Sequence, residues 1–242
     1  LFSNMTAIGL LSLLAWGLGY VGQPHILARF IAVENAQKIR PARRIAMVWM
    51  LIVLCGSVTT GLAGIAYFAD QPLANPETVF IVLSQSLFNP WVAGIITAAI
   101  LSAIMSTIDS QLLVSSSVIS EDFYRVFIKP KASEKELLLV SRIAVVAIAV
   151  LALFIASDRE SRVLDLVSYA WAGFGAAFGP VIVFSLFWRK MTAMAAIVGM
   201  IIGAVTVVVW SNLEGGIFDL YEIVPGFVFA SLAVIGISLM KP

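Results

Sequence analysis

The chain has 242 residues, of which 61% are hydrophobic and only 12% charged, and its mean hydropathy is +1.02. Soluble domains run about 45–50% apolar and about 25% charged, so this composition excludes an ordinary soluble domain and reads as an all-α polytopic membrane protein embedded in a lipid bilayer. The net charge of +1 excludes bulk attraction to nucleic acid, and the single Cys55 excludes an intrachain disulfide.

Seven apolar segments follow in chain order, each near or above the roughly 20 residues a helix needs to cross hydrocarbon. The first covers 5–31 and is interrupted by Trp16-Gly17-Leu18-Gly19-Tyr20-Val21-Gly22-Gln23-Pro24-His25. The others cover 45–68, 91–119, 137–156, 163–187, 193–210 and 223–240. The stretch 76–87 is apolar but too short to span, and it reads as an interfacial helix opened by Pro76 and closed by Asn89-Pro90. No basic stretch precedes a short apolar run at the start, so no signal peptide is expected. The chain opens at Leu1 and closes at Lys241-Pro242 directly after an apolar run, which reads as a fragment cut at both ends.

Charge in the connections predicts orientation. Arg29, Lys38, Arg40, Arg43 and Arg44 follow the first span, and Arg125, Lys129, Lys131, Lys135 and Arg142 flank the third connection. Arg189 and Lys190 follow the fifth span, and Lys241 follows the last. The second connection carries Asp70 and Glu77, and the sixth carries Glu214, Asp219 and Glu222, neither with a base. Only Arg159 and Arg162, beside Asp158, Glu160 and Asp165, fall on the opposite side from the other bases. The positive-inside rule then puts the C-terminus in the cytoplasm and the N-terminus of this chain outside.

Three stretches hold residues suited to a site. In the first, Trp16, Tyr20 and Pro24 would share one face of an unbroken helix over about 12 Å. Glycine and proline weaken a helix, and broken backbone survives at membrane depth only where it meets protein or a water-filled cavity. Local unwinding there would free backbone groups for a polar ligand, with Trp16 and Tyr20 lining it. Equally, small residues let membrane helices approach closely, and packing alone accounts for the glycines. His25 reads as a satisfied buried histidine. In the second stretch Ala103, Ser106, Thr107 and Ser110 follow i, i+3, i+4, i+7 and form one helical stripe. Hydroxyls and carbonyls are hard oxygen donors suited to a small dehydrated cation, although Ser and Thr more commonly bond back to the preceding turn. Asp109 is an acid within a predicted span, a default functional candidate. In the third, Gly175 and Gly179 form a small-xxx-small pair, which predicts close helix packing, with Tyr169 and Trp171 beside it. The glycines there have no preceding strand and are not a nucleotide fingerprint.

These stretches, read as WGLGYVGQPHILARF, ARRIAMVWM, LSAIMSTIDSQLLVSSSVISEDFY and VSYAWAGFGAAFGPVIVFSLFW, resemble the sodium:solute symporter family, closest to its bacterial sodium/proline branch. The resemblance implies the second half of a five-plus-five inverted-repeat (LeuT-like) transporter core plus two C-terminal helices, seven transmembrane helices in all. Core helices six to ten would occupy 1–187 and the two additional helices 188–242, with the N-terminal half of the transporter missing. It implies sodium coordination by the Ala103 carbonyl and the Ser106 and Thr107 hydroxyls, and a solute site lined by Trp16 and Tyr20 and shaped by Pro24. It leaves the role of Asp109 open.

The function so implied is sodium-coupled symport of L-proline, or a similar small solute, across a bacterial inner membrane, with sodium as the co-transported ion. Alternatives are a sodium symporter for pantothenate, a sugar or a carboxylate, and a membrane solute-sensor domain. A microbial retinal protein needs a lysine in the middle of its last helix, and 223–240 has none. No acid–base or nucleophile pair is evident, so an enzyme is not expected.

Overall fold

The computed structural model describes residues 6–157 and 162–240. Leu1, Met5, Asp158, Arg159, Glu160, Lys241 and Pro242, which enter the expectations above, lie outside the described residues. Among those described, α1 (Ala7–Gly19) passes into a 3-10 turn at Tyr20–Gly22, and α2 (Pro24–Ile31) follows. Next come α3 (Ala36–Tyr67), a 3-10 turn at Pro76–Thr78 with α4 (Val79–Leu87), and α5 (Pro90–Ser117), which continues in a wider π-type winding over Val118–Ile128. The series closes with α6 (Glu134–Ile155), α7 (Val163–Phe187), α8 (Ala193–Trp210) and α9 (Ile223–Met240).

Six of these helices are long and apolar enough to cross a membrane, and α1 with α2, bent by 48°, make a broken seventh. The predicted limits of α7, α8 and α9 hold. Two others move outward. The α3 helix begins at Ala36 rather than at residue 45, because Asn35 provides a start: its Oδ1 accepts from the Gln37 N–H at 2.9 Å. The basic residues behind it are good helix formers and extend the helix beyond its apolar part. Pro41 sits inside this helix and brings no N–H to the ladder. Replacing Asn35 with Ala leaves that first turn uncapped and is expected to lower stability by about 1 kcal/mol, read as a small fall in thermal midpoint. The third span likewise runs on past residue 119 to Ile128. The short 76–87 segment forms as expected, with the Asn75 Oδ1 accepting from the Glu77 N–H at 2.9 Å.

Packing divides the chain into two units, residues 32–115 and the remainder on either side. This grouping crosses the division at residue 187 implied by the resemblance, which concerns kinship of segments rather than their contacts. In the unit of residues 32–115, α3 presents apolar side chains outward, with Ile45 73% and Trp49 68% exposed. A continuous apolar face of this kind suits lipid, not water. In the other unit, α7, α8 and α9 pack on one another, and α7 and α9 pack on α1. Its core is built from small residues and a few aliphatics: Ala15, Ala172, Ala176, Val207 and Ile223, with Leu18, Trp171, Tyr221 and Val224 against them. Without a hydrophobic drive between helices in lipid, close van der Waals contact between small residues supplies the association.

Candidate functional site

The break in the first span is narrower than unwinding of the whole glycine cluster. Residues through Gly19 stay α-helical, Tyr20–Gly22 tighten into a 3-10 turn, and Gln23 leaves the helix with φ −78° and ψ 119°. Pro24 imposes that extended geometry on the residue before it, and then opens α2, where its missing N–H costs nothing. The Gln23 carbonyl accepts from Ile26 N–H at 3.1 Å and Leu27 N–H at 3.0 Å, so the new helix is capped at once. Trp16, Tyr20 and Pro24 therefore lie on three successive pieces of backbone rather than on one straight face.

Close packing accounts for the glycines on the α7 side. A Cβ on Gly19 would sit 1.9 Å from Trp171 Nε1, and one on Gly22 would sit 2.3 Å from the Phe174 carbonyl oxygen. From the facing helix, a Cβ on Gly175 would come within 2.7 Å of the Gly19 Cα. Gly179 meets Phe227 in the same way, as the small-xxx-small spacing predicts. Gly17 faces open space.

The aromatic residues of the break are held by α7 and by the start of α9. Trp16 stacks on Trp171, with ring centres 5.5 Å apart and planes 15° from parallel, and on Tyr221 at 6.1 Å and 16°. Tyr20 meets Trp171 edge to face at 4.8 Å. The Trp171 Nε1–H donates to the Trp16 carbonyl at 2.9 Å, and the Gln23 Nε2–H donates to the Trp171 carbonyl at 3.3 Å. Gln23 is buried, and this bond satisfies a group that would otherwise be costly at that depth. Tyr221 is tied in twice: its N–H donates to Ser12 Oγ at 3.0 Å, and its O–H donates to the Ser168 carbonyl at 2.7 Å. Burial, and then the nearby Glu222 charge, push the Tyr221 phenol up, so its O–H stays a donor throughout the physiological range. Glu222 is itself raised by burial. Tyr20 remains 43% exposed and Trp16 and Pro24 are half-buried, so this wall keeps an open side. His25 is half-buried in the first turn of α2.

Of the two aromatics beside the glycine pair, Trp171 packs partly buried against the core. Tyr169 instead lines an apolar concavity of about 460 Å³ between α7 and α8, with Phe174, Phe178, Met200 and Ile201. Tyr221, Ser12 and Ser168 were not singled out at all. No periodicity could have found them, since Tyr221 and Ser12 are 209 residues apart in the chain.

In the other unit, the stripe on α5 gathers two hydroxyl oxygens around one carbonyl. Ser106 Oγ donates to the Ala103 carbonyl at 2.9 Å and Thr107 Oγ1 to the same oxygen at 3.2 Å. Ser110 Oγ donates to the Ser106 carbonyl at 2.9 Å. This is the back-bonded arrangement common for hydroxyls in helices. It also leaves the lone pairs of both hydroxyls available, since each spends only its proton on Ala103. The three are exposed on the helix, as is Asp109. Neutral hydroxyl and carbonyl oxygens fit a hard monovalent cation, and three of them form part of the shell such ions take.

The comparisons with known proteins agree with one another. The chain is 55% identical to the sodium/proline symporter of Haemophilus influenzae, over 100% of this chain and 50% of that protein. It is 52% identical to the sodium/proline symporter of Escherichia coli, over 99% of this chain and 49% of the relative. It is 49% identical to the high-affinity proline transporter PutP of Bacillus subtilis, over 99% of this chain and 51% of the relative. The chain thus spans about half the length of the curated relatives it matches. No solved structure matches it. The family model for the sodium:solute symporter family matches residues 3–203, and the chain, helical and apolar throughout its described spans, belongs to that family.

Proposed function

We propose that this chain is the second half of a sodium-coupled symporter that carries L-proline, or a close analogue, into a bacterial cell across the inner membrane. The observation that carries the reading is the identity of about half of all residues, over the whole chain, with proteins named sodium/proline symporters. The geometry supports it at two places. Trp16, Tyr20 and Pro24 line the solute half-site, offering aromatic surface to a pyrrolidine ring and a break in the helix to its charged ends. The Ala103 carbonyl with the Ser106 and Thr107 hydroxyls forms the sodium half-site. The partner of both is an N-terminal half of the transporter, with core helices six to ten in 1–187 and two further helices in 188–242. The activity is transport rather than enzymatic conversion. The basic connections face the cytoplasm, which leaves the N-terminus of this chain outside and its C-terminus inside.

The coupling can be sized. A tenfold sodium gradient supplies about 1.4 kcal/mol, and one charge crossing about 100 mV adds about 2.3 kcal/mol. One sodium ion per proline then sustains accumulation of a few hundred-fold. Sodium binding and proline binding strengthen each other by one shared coupling free energy. The test is uptake of labelled proline by the full-length protein carrying this segment, with and without a sodium gradient, in competition with pantothenate, sugars and carboxylates. The expected result is sodium-dependent uptake displaced by unlabelled proline alone. Displacement by another solute reassigns the substrate, and proline binding with no uptake turns the reading to a sensor.

A further inference from the structure

We propose that Trp171, on α7, is the positioning residue of the solute half-site. The inference rests on the assignment of Trp16 and Tyr20 to that site. Trp171 touches the break at every level. Its ring stacks on Trp16 at 5.5 Å and takes the edge of Tyr20 at 4.8 Å. Its Nε1–H donates to the Trp16 carbonyl at 2.9 Å, and its own carbonyl accepts from Gln23 at 3.3 Å. The backbone at Gly19 leaves the space this indole fills, since a Cβ there would overlap Nε1, Cδ1 and Cε2. Two aromatic walls of the half-site are thus set by one side chain from another helix, and the single non-helical residue between its two helices is held by that residue's main-chain carbonyl.

The chemistry asks for tryptophan in particular. Indole combines a broad π-face with an N–H on its edge, so this one side chain stacks on the Trp16 ring and donates to the Trp16 carbonyl. Tyr221 holds Trp16 as well, at 6.1 Å, while its N–H goes to Ser12 and its O–H to Ser168. The contacts of the Trp171 indole are with Trp16 and Tyr20, and its effect on solute passes through these residues. A residue of this kind sets how well the empty wall matches the solute, and its loss weakens binding by the cost of ordering that wall. Turnover at saturation, which depends on later steps, changes little.

The experiment measures sodium-driven proline uptake by the full-length protein carrying this segment, for wild type, Trp171→Phe and Gly19→Ala, with each rate normalised to transporter in the membrane. Trp171→Phe keeps an aromatic face and removes the N–H to the Trp16 carbonyl. Losing one such bond corresponds to about two- to tenfold, and KM for proline is expected to rise by that factor. Maximal rate should stay within twofold, and the sodium concentration for half-maximal uptake should not move. Gly19→Ala pushes the same indole from the opposite side and is expected to raise KM as well. A wild-type KM in working Trp171→Phe overturns the inference and leaves the half-site reading intact. A fall in membrane content or thermal midpoint with wild-type KM per remaining transporter shows a structural role only, and also overturns it. Should Trp171→Phe fail to reach the membrane, a wild-type KM in Gly19→Ala decides against the inference. If the parent protein shows no sodium-driven proline uptake, the half-site reading falls and this inference with it.

Discussion

Gly22→Ala is expected to cost about 3 kcal/mol, at the upper end of the range for overpacking a close contact. The reason is the identity of the obstacle. A Cβ at this position would stand 2.3 Å from the Phe174 carbonyl oxygen and 2.8 Å from the Gly175 Cα, both backbone atoms of α7. A side chain could rotate away, whereas the backbone of a packed helix moves only as a whole. Separating α1 from α7 would also loosen the stack of Trp16 on Trp171 and the bond from Trp171 to the Trp16 carbonyl. Gly17→Ala is the control. It lies five residues earlier, within α1, with nothing within 4 Å of its added Cβ. There the exchange adds helix propensity, about 0.5–1 kcal/mol in the favourable direction. The measurement is the thermal midpoint of each variant purified in detergent, together with its amount in the membrane. Equal stability of the two variants would remove close packing as the reason for glycine at position 22.

The second large effect concerns sodium. On the proposed sodium half-site, Thr107→Ala is expected to raise the sodium concentration for half-maximal proline uptake by roughly tenfold to a hundredfold, since a hydroxyl lost from a charged ligand costs about 1.5–3 kcal/mol. Thr107 Oγ1 lies 3.2 Å from the Ala103 carbonyl, and Ser106 Oγ lies 2.9 Å from the same atom, so the three oxygens form one cluster. Thr107→Ser keeps the oxygen and is expected to stay close to wild type. The alanine variant retains its helix, because alanine is the best helix former and the lost bond only ran back to the preceding turn. Uptake by Thr107→Ala with unchanged sodium dependence would remove this residue from the sodium half-site.

These two sites differ in how much of each the sequence held. The α5 stripe was legible in full, because Ala103, Ser106 and Thr107 meet through helix periodicity alone and their bonds span three or four residues. At the break, Pro24 announced where the helix would stop, since proline restricts the residue before it whatever the surroundings. The glycines did not announce their purpose. Unwinding and close approach call for the same residue, and only the facing helix shows that Gly19 and Gly22 serve approach. The extent of α3 was missed at its start, because apolarity marks the part of a helix that lipid covers, while Asn35 sets where its hydrogen-bonded ladder begins.

By itself, then, the sequence determined the spans, the bend and the oxygen stripe, all of which depend on residues a few positions apart. The tertiary structure alone decided which helix faces the break and which atoms hold it. Trp171 reaches Trp16 across 155 positions and Tyr221 reaches Ser12 across 209. Choices of that kind follow from shape. An indole fits where two glycine-lined backbones come close, and the fit depends on crossing angle and on every small residue along the seam, which no local pattern in the chain encodes.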